Sequence, residues 1–260
     1  MISSDVIELL EAEAAAINHP DFIDEDPVQF PRRFSDKRDI EISALLVSSI
    51  AWGNRKMILR DSERMLSFMD NQPYVYMMDE GYEELPDGQN IHRTFFTQNL
   101  KHFLRGLRQV YVKHDTLDDF CRDIHANISE TPAWALATRL NQVFSEANNG
   151  HSDSRCLPLN TDATALKRLN MALRWLVRND GIVDLGVWGS LKPSQLYIPL
   201  DVHVASVSRD LGLLARKSND RKAVLELTDN LRPLRPHDPA VYDFALFGIG
   251  VTGRRKDLAL

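Results

Sequence analysis

The stretch that decides the fold lies at residues 198–214. It reads Ile198-Pro199-Leu200-Asp201-Val202-His203-Val204-Ala205-Ser206-Val207-Ser208-Arg209-Asp210-Leu211-Gly212-Leu213-Leu214. Pro199 has no backbone N–H and favours an extended residue before it, so the chain enters the stretch straight. From Val204 onwards, apolar residues recur at three- and four-residue steps, which predicts one face of a helix. Asp201 takes the N-cap position of that helix, and Gly212 is placed to end it.

Asp201 has a simple structural interpretation as a helix cap. A capping aspartate accepts hydrogen bonds from backbone N–H groups of the first helical turn. It also faces the positive end of the helix dipole, and both effects hold the carboxylate in its charged form. A chemical role for Asp201 therefore needs support from elsewhere in the chain.

Helical periodicity continues along most of the sequence, and no segment shows convincing strand alternation or an internal repeat. Residues 19–33 contain three prolines and are predicted to form an extended connector. A turn-rich segment covers residues 71–94, and a loop covers 182–200. The sequence therefore predicts an all-α protein with helices over residues 3–17, 39–51, 55–69, 97–113, 116–128, 131–149, 162–180, 201–214, 219–231 and 239–249.

Composition limits the class of protein. A hydrophobic content of 43% and a charged content of 26% over 260 residues are typical of a globular protein. The two cysteines, Cys121 and Cys156, give no disulfide framework, which predicts a cytoplasmic location. They also exclude a four-cysteine iron–sulfur cluster. No apolar run reaches the ~18–20 residues of a membrane span. We predict no cofactor and no metal site.

The charge is distributed unevenly. The net charge is −6 at pH 7, which argues against a nonspecific nucleic-acid coat protein. Residues 151–260 nevertheless hold 16 Lys and Arg against 12 Asp and Glu, whereas residues 1–150 hold 15 against 25. A backbone-binding face requires basic charge, and the basic excess lies in the half that contains Asp201.

Two segments resemble a known family. Pro-Leu-Asp-Val-His-Val at 199–204, followed by Arg209 and Leu-Gly-Leu at 211–213, resembles the Val-Asp-Thr-His-Val…Arg…Leu-Gly-Leu segment of the helix-hairpin-helix DNA glycosylase superfamily. That superfamily contains endonuclease III and the 8-oxoguanine DNA glycosylases. Lys-Arg-Leu-Asn at 167–170 opens a segment similar to the family's Lys-Thr-Ala-Asn helix. More closely, both segments resemble an uncharacterised bacterial branch of that superfamily.

The resemblance implies a catalytic pair, Lys167 and Asp201. In bifunctional members the lysine attacks C1′ of the sugar as the base leaves, and the aspartate is the catalytic carboxylate. Attack requires an uncharged amine, and burial beside other cations lowers a lysine pKa. A carboxylate opposite the sugar stabilises an oxocarbenium-like transition state. The resemblance thus implies a base-excision DNA glycosylase and lyase whose partner is damaged or abasic DNA.

Other residues complete the predicted DNA-binding set. Arg168, Arg174 and Arg178 follow Lys167 on the same predicted helix and could lower its pKa. Trp188 lies in the predicted loop, where an aromatic ring can stack on an extruded base or pack as an anchor. The set closes with three residues, namely His203 from the Asp201 segment and Trp52 and Asn54 from the turn where the superfamily places a duplex-penetrating side chain.

One segment departs from the family. The family hairpin Leu-Pro-Gly-Val-Gly-X-Lys grips a phosphate through its backbone, but Leu157-Pro158 is followed here by eight residues without glycine before Lys167. The spacing from Lys167 to Asp201 is also longer than in endonuclease III-like proteins. We therefore expect an altered hairpin, with Asn160, Thr161 and Thr164 as candidates for a different phosphate contact.

These features predict a two-lobed helical protein resembling a DNA glycosylase. Residues 39–178 are expected to form a barrel-like lobe carrying Lys167. Residues 1–38 and 195–260 are expected to form a second lobe carrying Asp201, with the cleft between the two side chains. Two alternatives stay open: a non-catalytic helical relative that binds nucleic acid or protein, and a metal-dependent phosphohydrolase of the His-Asp type. The sequence predicts no oligomeric state.

Overall fold

The computed structural model describes residues 2–252 and the side chains of residues 2–250. The chain is mostly helical, which confirms the all-α prediction. The α-helices are α1 (Ser4–Ile17), α2 (Asp21–Asp24), α3 (Lys37–Ile50), α4 (Arg55–Ser67), α5 (Pro73–Met78), α6 (Thr97–Tyr111), α7 (Leu117–Asp123), α8 (Pro132–Ala147), α9 (Lys167–Val177), α10 (Val202–Asp210), α11 (Arg221–Leu231) and α12 (Tyr242–Thr252).

Short elements join these helices. The prediction missed one small antiparallel hairpin, in which β1 (Asn90–His92) pairs with β2 (Phe95–Phe96). The expectation of an extended connector over 19–33 was also wrong. That segment contains α2 and two 3₁₀ turns, Pro27–Gln29 and Pro31–Arg33. Each turn begins with a proline, whose fixed φ angle suits a first helical position, and Asp26 caps the first turn by accepting a hydrogen bond from Val28 N.

Helix α3 is the central helix of the protein. Every residue from Ile40 to Ile50 is buried, so the helix is enclosed on all sides rather than on one apolar face. Its side chains pack against α9. Glu41 is also buried within this helix and accepts hydrogen bonds from the backbone N–H groups of Leu117 and Asp118, at the start of α7. Burial raises the pKa of Glu41 to about 7.

The terminal helices pack together around the segment containing Asp201. Helix α1 packs on α12, and α12 packs on α10. Helices α6 and α8 form a second close pair. The buried apolar residues form one continuous core across these groups. The division into lobes at 39–178, 1–38 and 195–260 stays a prediction, and its residues 253–260 lie outside the described residues. No described helix is long and apolar enough to cross a membrane.

Helix α9 begins later than predicted. The sequence predicted a start near residue 162, but Lys167 is the first helical residue. The preceding residue, Leu166, is left-handed at φ 50° and ψ 36°, a conformation that costs free energy for a bulky side chain. Before it, Thr164 forms an isolated bridge with Asp220, and Ala163 O accepts a hydrogen bond from Arg221 N. These contacts tie residues 163–166 to α11 and keep them out of the helix.

Candidate active site

Lys167 and Arg168 both lie at the C-terminal end of α3. Lys167 Nζ donates a hydrogen bond to Ala51 O at 3.2 Å. Arg168 Nη1 donates to Ser49 O, and to Arg155 O at 3.1 Å. The last carbonyls of a helix have no partner within the helix and carry the negative end of its dipole. The end of α3 therefore holds both cations in place.

The pKa of Lys167 is lowered from its ordinary value. Burial is the largest cause, since a partly buried ammonium loses hydration, and the charge of Arg168 acts in the same direction. Three carboxylates oppose this shift: Asp201, Asp243 and Asp26, in that order of strength. Lys167 thus lies within electrostatic range of Asp201, and a larger fraction of its amine is neutral than in an ordinary lysine.

Asp201 is the N-cap of α10. Its Oδ1 atom accepts hydrogen bonds from His203 N and Val204 N, both at 2.9 Å, which confirms the predicted cap. Within the described residues, Oδ2 accepts no hydrogen bond from a protein group. The cap therefore orients the carboxylate through one oxygen and leaves the other available to a ligand.

Asp243 and Asp26 were not predicted as site residues. Asp243 lies in the first turn of α12 and is 6% exposed, with Arg174 as its hydrogen-bonding partner. Burial raises the pKa of Asp243 to about 6, partly offset by Arg174 and increased further by Asp201. Burial also raises the pKa of Asp26. An acidic residue at a helix or turn start was the only signal, and it is too common to identify a site.

Arg174 and Arg178 do not lie where a DNA contact requires them. Both are buried, at 4% and 2% exposed. Arg174 pairs with Asp184 and Asp243, whereas Arg178 bonds to three carboxylates. The partners of Arg178 are Asp180, Asp184 and Asp238. Their donors already serve protein carboxylates, so the predicted role of these two arginines in binding DNA is corrected to a structural one.

Trp188 is also a structural residue. It is 6% exposed, and its backbone N–H donates to Leu176 O at the end of α9. The backbone N–H groups of Leu185 and Gly186 donate to Trp175 O, so the predicted loop folds back and caps α9. Of the two roles that the sequence left open for Trp188, its burial supports the packing anchor, and its predicted role in binding DNA is corrected to a structural one.

Three predicted contact residues remain accessible. Asn54 is exposed and caps α4 by accepting a hydrogen bond from Met57 N at 3.2 Å. Trp52 is partly buried beside it, in the turn that follows Ala51. His203 is exposed in the first turn of α10, next to Val202, which is 67% exposed. Trp52 directly follows Ala51, whose carbonyl accepts the Lys167 hydrogen bond, and the backbone N–H of His203 donates to Asp201.

The altered hairpin uses its polar side chains internally. Asn160 Oδ1 accepts a hydrogen bond from Ala163 N, and Thr164 Oγ1 donates to Asn160 O. The hydroxyl of Thr161 bonds to that of Thr138. Their expected role as phosphate ligands therefore has no support from this arrangement. A cavity of about 390 Å³ runs along the hairpin, and its lining includes Lys167 and Arg168 but none of the three site carboxylates.

A His-Asp phosphohydrolase would draw its metal ligands from His92, His102, His114 with Asp115, and His125, and these side chains do not assemble a ligand set among the described residues. His92 pairs with Asp61 at 2.7 Å, and His114 pairs with Asp123 at 3.1 Å. Across residues 2–252, no group of three or more His, Cys, Asp or Glu side chains has the arrangement to hold a metal ion. The paired histidines are accounted for by local contacts.

Comparison with known proteins gives one match. A family model described as "Protein of unknown function (DUF2400)" matches residues 26–252, which include α3, Lys167, Asp201 and Asp243. Neither the curated proteins nor the solved structures gave a match. Because the matched segment spans most of its length, the chain belongs to the DUF2400 family.

Proposed function

We propose that this protein is a DNA glycosylase with lyase activity, acting on a damaged base with Lys167 as nucleophile and Asp201 as the catalytic carboxylate. The observation that carries the proposal is a desolvated lysine within electrostatic range of a capping carboxylate, one oxygen of which accepts no hydrogen bond from a described protein group. The resemblance of residues 167–170 and 199–204 to helix-hairpin-helix glycosylases supports it. Both cysteines are free and buried, and we place the activity in the cytoplasm.

The first chemical step breaks the glycosidic bond. The neutral Nζ of Lys167 attacks C1′ of the sugar and forms a C–N bond. The bond from C1′ to the base breaks, its electron pair leaves with the base, and the base takes a proton from water. Positive charge develops on the sugar in the transition state, and the Asp201 carboxylate stabilises it.

The second step forms a Schiff base and cleaves the strand. Asp201 accepts one proton from Nζ and passes it to O4′ as the C1′–O4′ bond breaks, which leaves a protonated C1′=Nζ imine. Water takes a proton from C2′, and the resulting enamine expels the 3′ phosphate as the C3′–O3′ bond breaks, which restores a conjugated imine. Because the imine links protein to DNA, borohydride reduces it to a stable covalent complex.

Trapping tests this proposal directly. The protein is incubated with duplexes bearing 8-oxoguanine, uracil, an oxidised pyrimidine or a bare abasic site, and borohydride is then added. We expect a covalent complex with at least one duplex and its loss in Lys167→Gln. The matched control is Lys222→Gln, because Lys222 is an exposed lysine in the first turn of α11. It should trap as well as the wild-type protein.

Lys167 also has a structural interpretation, since its amine binds the end of α3. If the wild-type protein traps none of the four duplexes but still binds them, Lys167 serves only to hold α3. The protein would then be a non-catalytic DNA-binding relative. Equal trapping by Lys167→Gln would place the nucleophile at another residue.

A further inference from the structure

A second cavity lies beside the candidate active site. It has a volume of about 230 Å³ and adjoins the turn after α3. Its lining combines two guanidinium groups, two hydroxyl groups and two aromatic rings. The six residues are Trp52, Thr94, Phe95, Ser154, Arg155 and Arg168.

The arginines at this cavity lack acidic partners. Within the described part of the chain, neither Arg155 nor Arg168 forms an ion pair with a carboxylate, nor does the neighbouring Arg93. Arg168 donates only to two backbone carbonyls, and both of those bonds use Nη1. Arg174 and Arg178 on the same helix each bind at least two carboxylates. Arg155 and Arg93 are exposed, whereas Arg168 is partly buried. A partly buried cation such as Arg168 without an acidic partner is costly unless a ligand supplies negative charge.

The third arginine is held against the cavity wall. Arg93 lies in the turn between β1 and β2, and its guanidinium is 4.5 Å from the centroid of the Trp52 ring. Gly53 makes this approach possible. It has a φ of +98°, and a Cβ atom there would lie 2.3 Å from Arg93 Nη1. The positive φ favours glycine at this position, and a larger residue would also displace the end of the Arg93 side chain.

The wall itself is rigidly supported. His92 is fully buried, and its Nε2 lies 2.9 Å from Trp52 O. Its Nδ1 lies 2.7 Å from Asp61 Oδ2. The imidazole also contacts the indole edge-on, with ring centroids 5.5 Å apart. These contacts fix the turn that carries Trp52, so the cavity is formed before any ligand arrives.

We propose that this cavity binds a phosphate group through Arg155 and Arg168, with Arg93 adding positive charge at its edge. Arginine is well matched to phosphate because its planar donors bind two oxygens together. The cavity is smaller than the ~300–1,000 Å³ of typical small-molecule sites, which favours one phosphate over a whole nucleotide. The phosphate is either free or part of a nucleic-acid strand, and the strand source rests on the function proposed above.

Titration with inorganic phosphate tests the free source. Ionic strength is held constant with chloride. The readout is the fluorescence of Trp52, because Trp52 lines the cavity, whereas Trp134, Trp175 and Trp188 are buried. Loss of the phosphate-dependent fluorescence change in Trp52→Phe would assign that change to Trp52. Arg155→Gln should weaken binding about tenfold or more, because a charge-assisted hydrogen bond is lost while the Arg155 carbonyl still holds Arg168. Arg168→Gln should weaken it as well, with a thermal melt to check folding.

Salt dependence tests the strand source. The affinity for an unmodified duplex is measured against salt concentration, and one lost phosphate contact should reduce the magnitude of the logarithmic slope by about 0.9. We expect this in Arg155→Gln but not in Arg139→Gln, which removes an exposed arginine from α8. Binding to an unmodified duplex needs no chemistry, so the result is independent of whether Lys167 forms a covalent complex.

The two measurements distinguish free phosphate from a strand phosphate. Phosphate binding with an unchanged slope supports a free-phosphate site, whereas a reduced slope without phosphate binding supports a strand contact. The proposal is overturned if the wild-type protein does not bind phosphate and Arg155→Gln leaves the slope unchanged. It is also overturned if Arg139→Gln matches Arg155→Gln in both measurements, because that result indicates nonspecific attraction to positive charge.

Discussion

Substitutions at Asp201 separate its capping role from its chemical role. Asparagine caps a helix nearly as well as aspartate but cannot carry a negative charge, whereas alanine does neither. The Oδ1 atom of Asp201 accepts two backbone hydrogen bonds, and asparagine can keep both. Asp201→Asn should therefore keep the fold and lose the chemistry. Asp201→Ala should lose the chemistry and also weaken the start of α10.

The expected magnitudes follow from the contacts. Loss of an aspartate cap to alanine costs about 1 kcal/mol of unfolding free energy. For a protein near this size that corresponds to a fall in Tm of about 2–4 °C. Asp201→Asn should leave Tm within about 1 °C of wild type by the same reasoning. Removal of a group that transfers protons typically lowers the rate by about 10²–10⁴-fold, so both variants should fall by that range.

The chain offers a matched control at the other end of α3. Asp36 caps that helix by accepting a hydrogen bond from Arg38 N at 2.8 Å. At ~1.5 Å per residue, a 14-residue helix separates it from the Lys167 contact at Ala51 by roughly 20 Å. Asp36→Ala should lower Tm, while Asp36→Asn and Asp36→Ala should both keep base excision at the wild-type rate.

Thermal melts and single-turnover base release, measured on the same samples, show whether Asp201 has a chemical role in addition to its capping role. Full activity in Asp201→Asn would show that Asp201 is only a cap. A Tm loss in Asp201→Asn equal to that in Asp201→Ala would mean that the charge, and not the hydrogen bonds, stabilises α10. One further effect is expected in the asparagine variant. Because Asp201 raises the pKa of Lys167, any residual activity should begin at lower pH.

Two other predictions concern Lys167 and Arg178. The pKa of Lys167 is lowered, and only its neutral amine attacks the sugar. Single-turnover rates should therefore rise with pH through an apparent pKa below the ordinary lysine value. A flat pH profile, or a midpoint at the ordinary lysine value, would contradict the assignment of Lys167 as nucleophile. Arg178→Met leaves the buried Asp184 with one partner fewer and should cost about 3–5 kcal/mol by denaturant unfolding. Arg122→Met, at a surface pair with 57% of the Arg122 side chain exposed, should leave the transition midpoint unchanged, and equal effects would refute the argument from burial.

Periodicity and capping residues predicted most helices, because those signals are local. Helices α3, α4, α6 and α8 begin within about two residues of their predicted positions. The start of α9 was not predictable in this way. It is set by the left-handed Leu166 and by contacts with α11, which is distant in sequence. A non-glycine residue in that conformation is uncommon and has no simple sequence signal.

The charged residues show where sequence reasoning fails. Arg174 and Arg178 are four positions apart and share a helix face, which is consistent with either a DNA-binding surface or an internal one. The face is internal because Asp184, Asp238 and Asp243 come from the following loop and from the region of α12. Periodicity shows that two residues share a face, but it does not show what lies opposite.

Lys167 and Arg168 are adjacent in sequence and bind the same helix end, yet their surroundings differ. Lys167 interacts with three carboxylates, whereas Arg168 lines a cavity and lacks an acidic partner among the described residues. The family hairpin that would grip a phosphate is altered here, and its polar groups bond internally. A substrate whose sugar lay at Lys167 would meet, at the next residue of the chain, a guanidinium group that has no carboxylate partner among the described residues. We therefore expect the end of α3, and not the hairpin, to align a DNA strand with the proposed nucleophile.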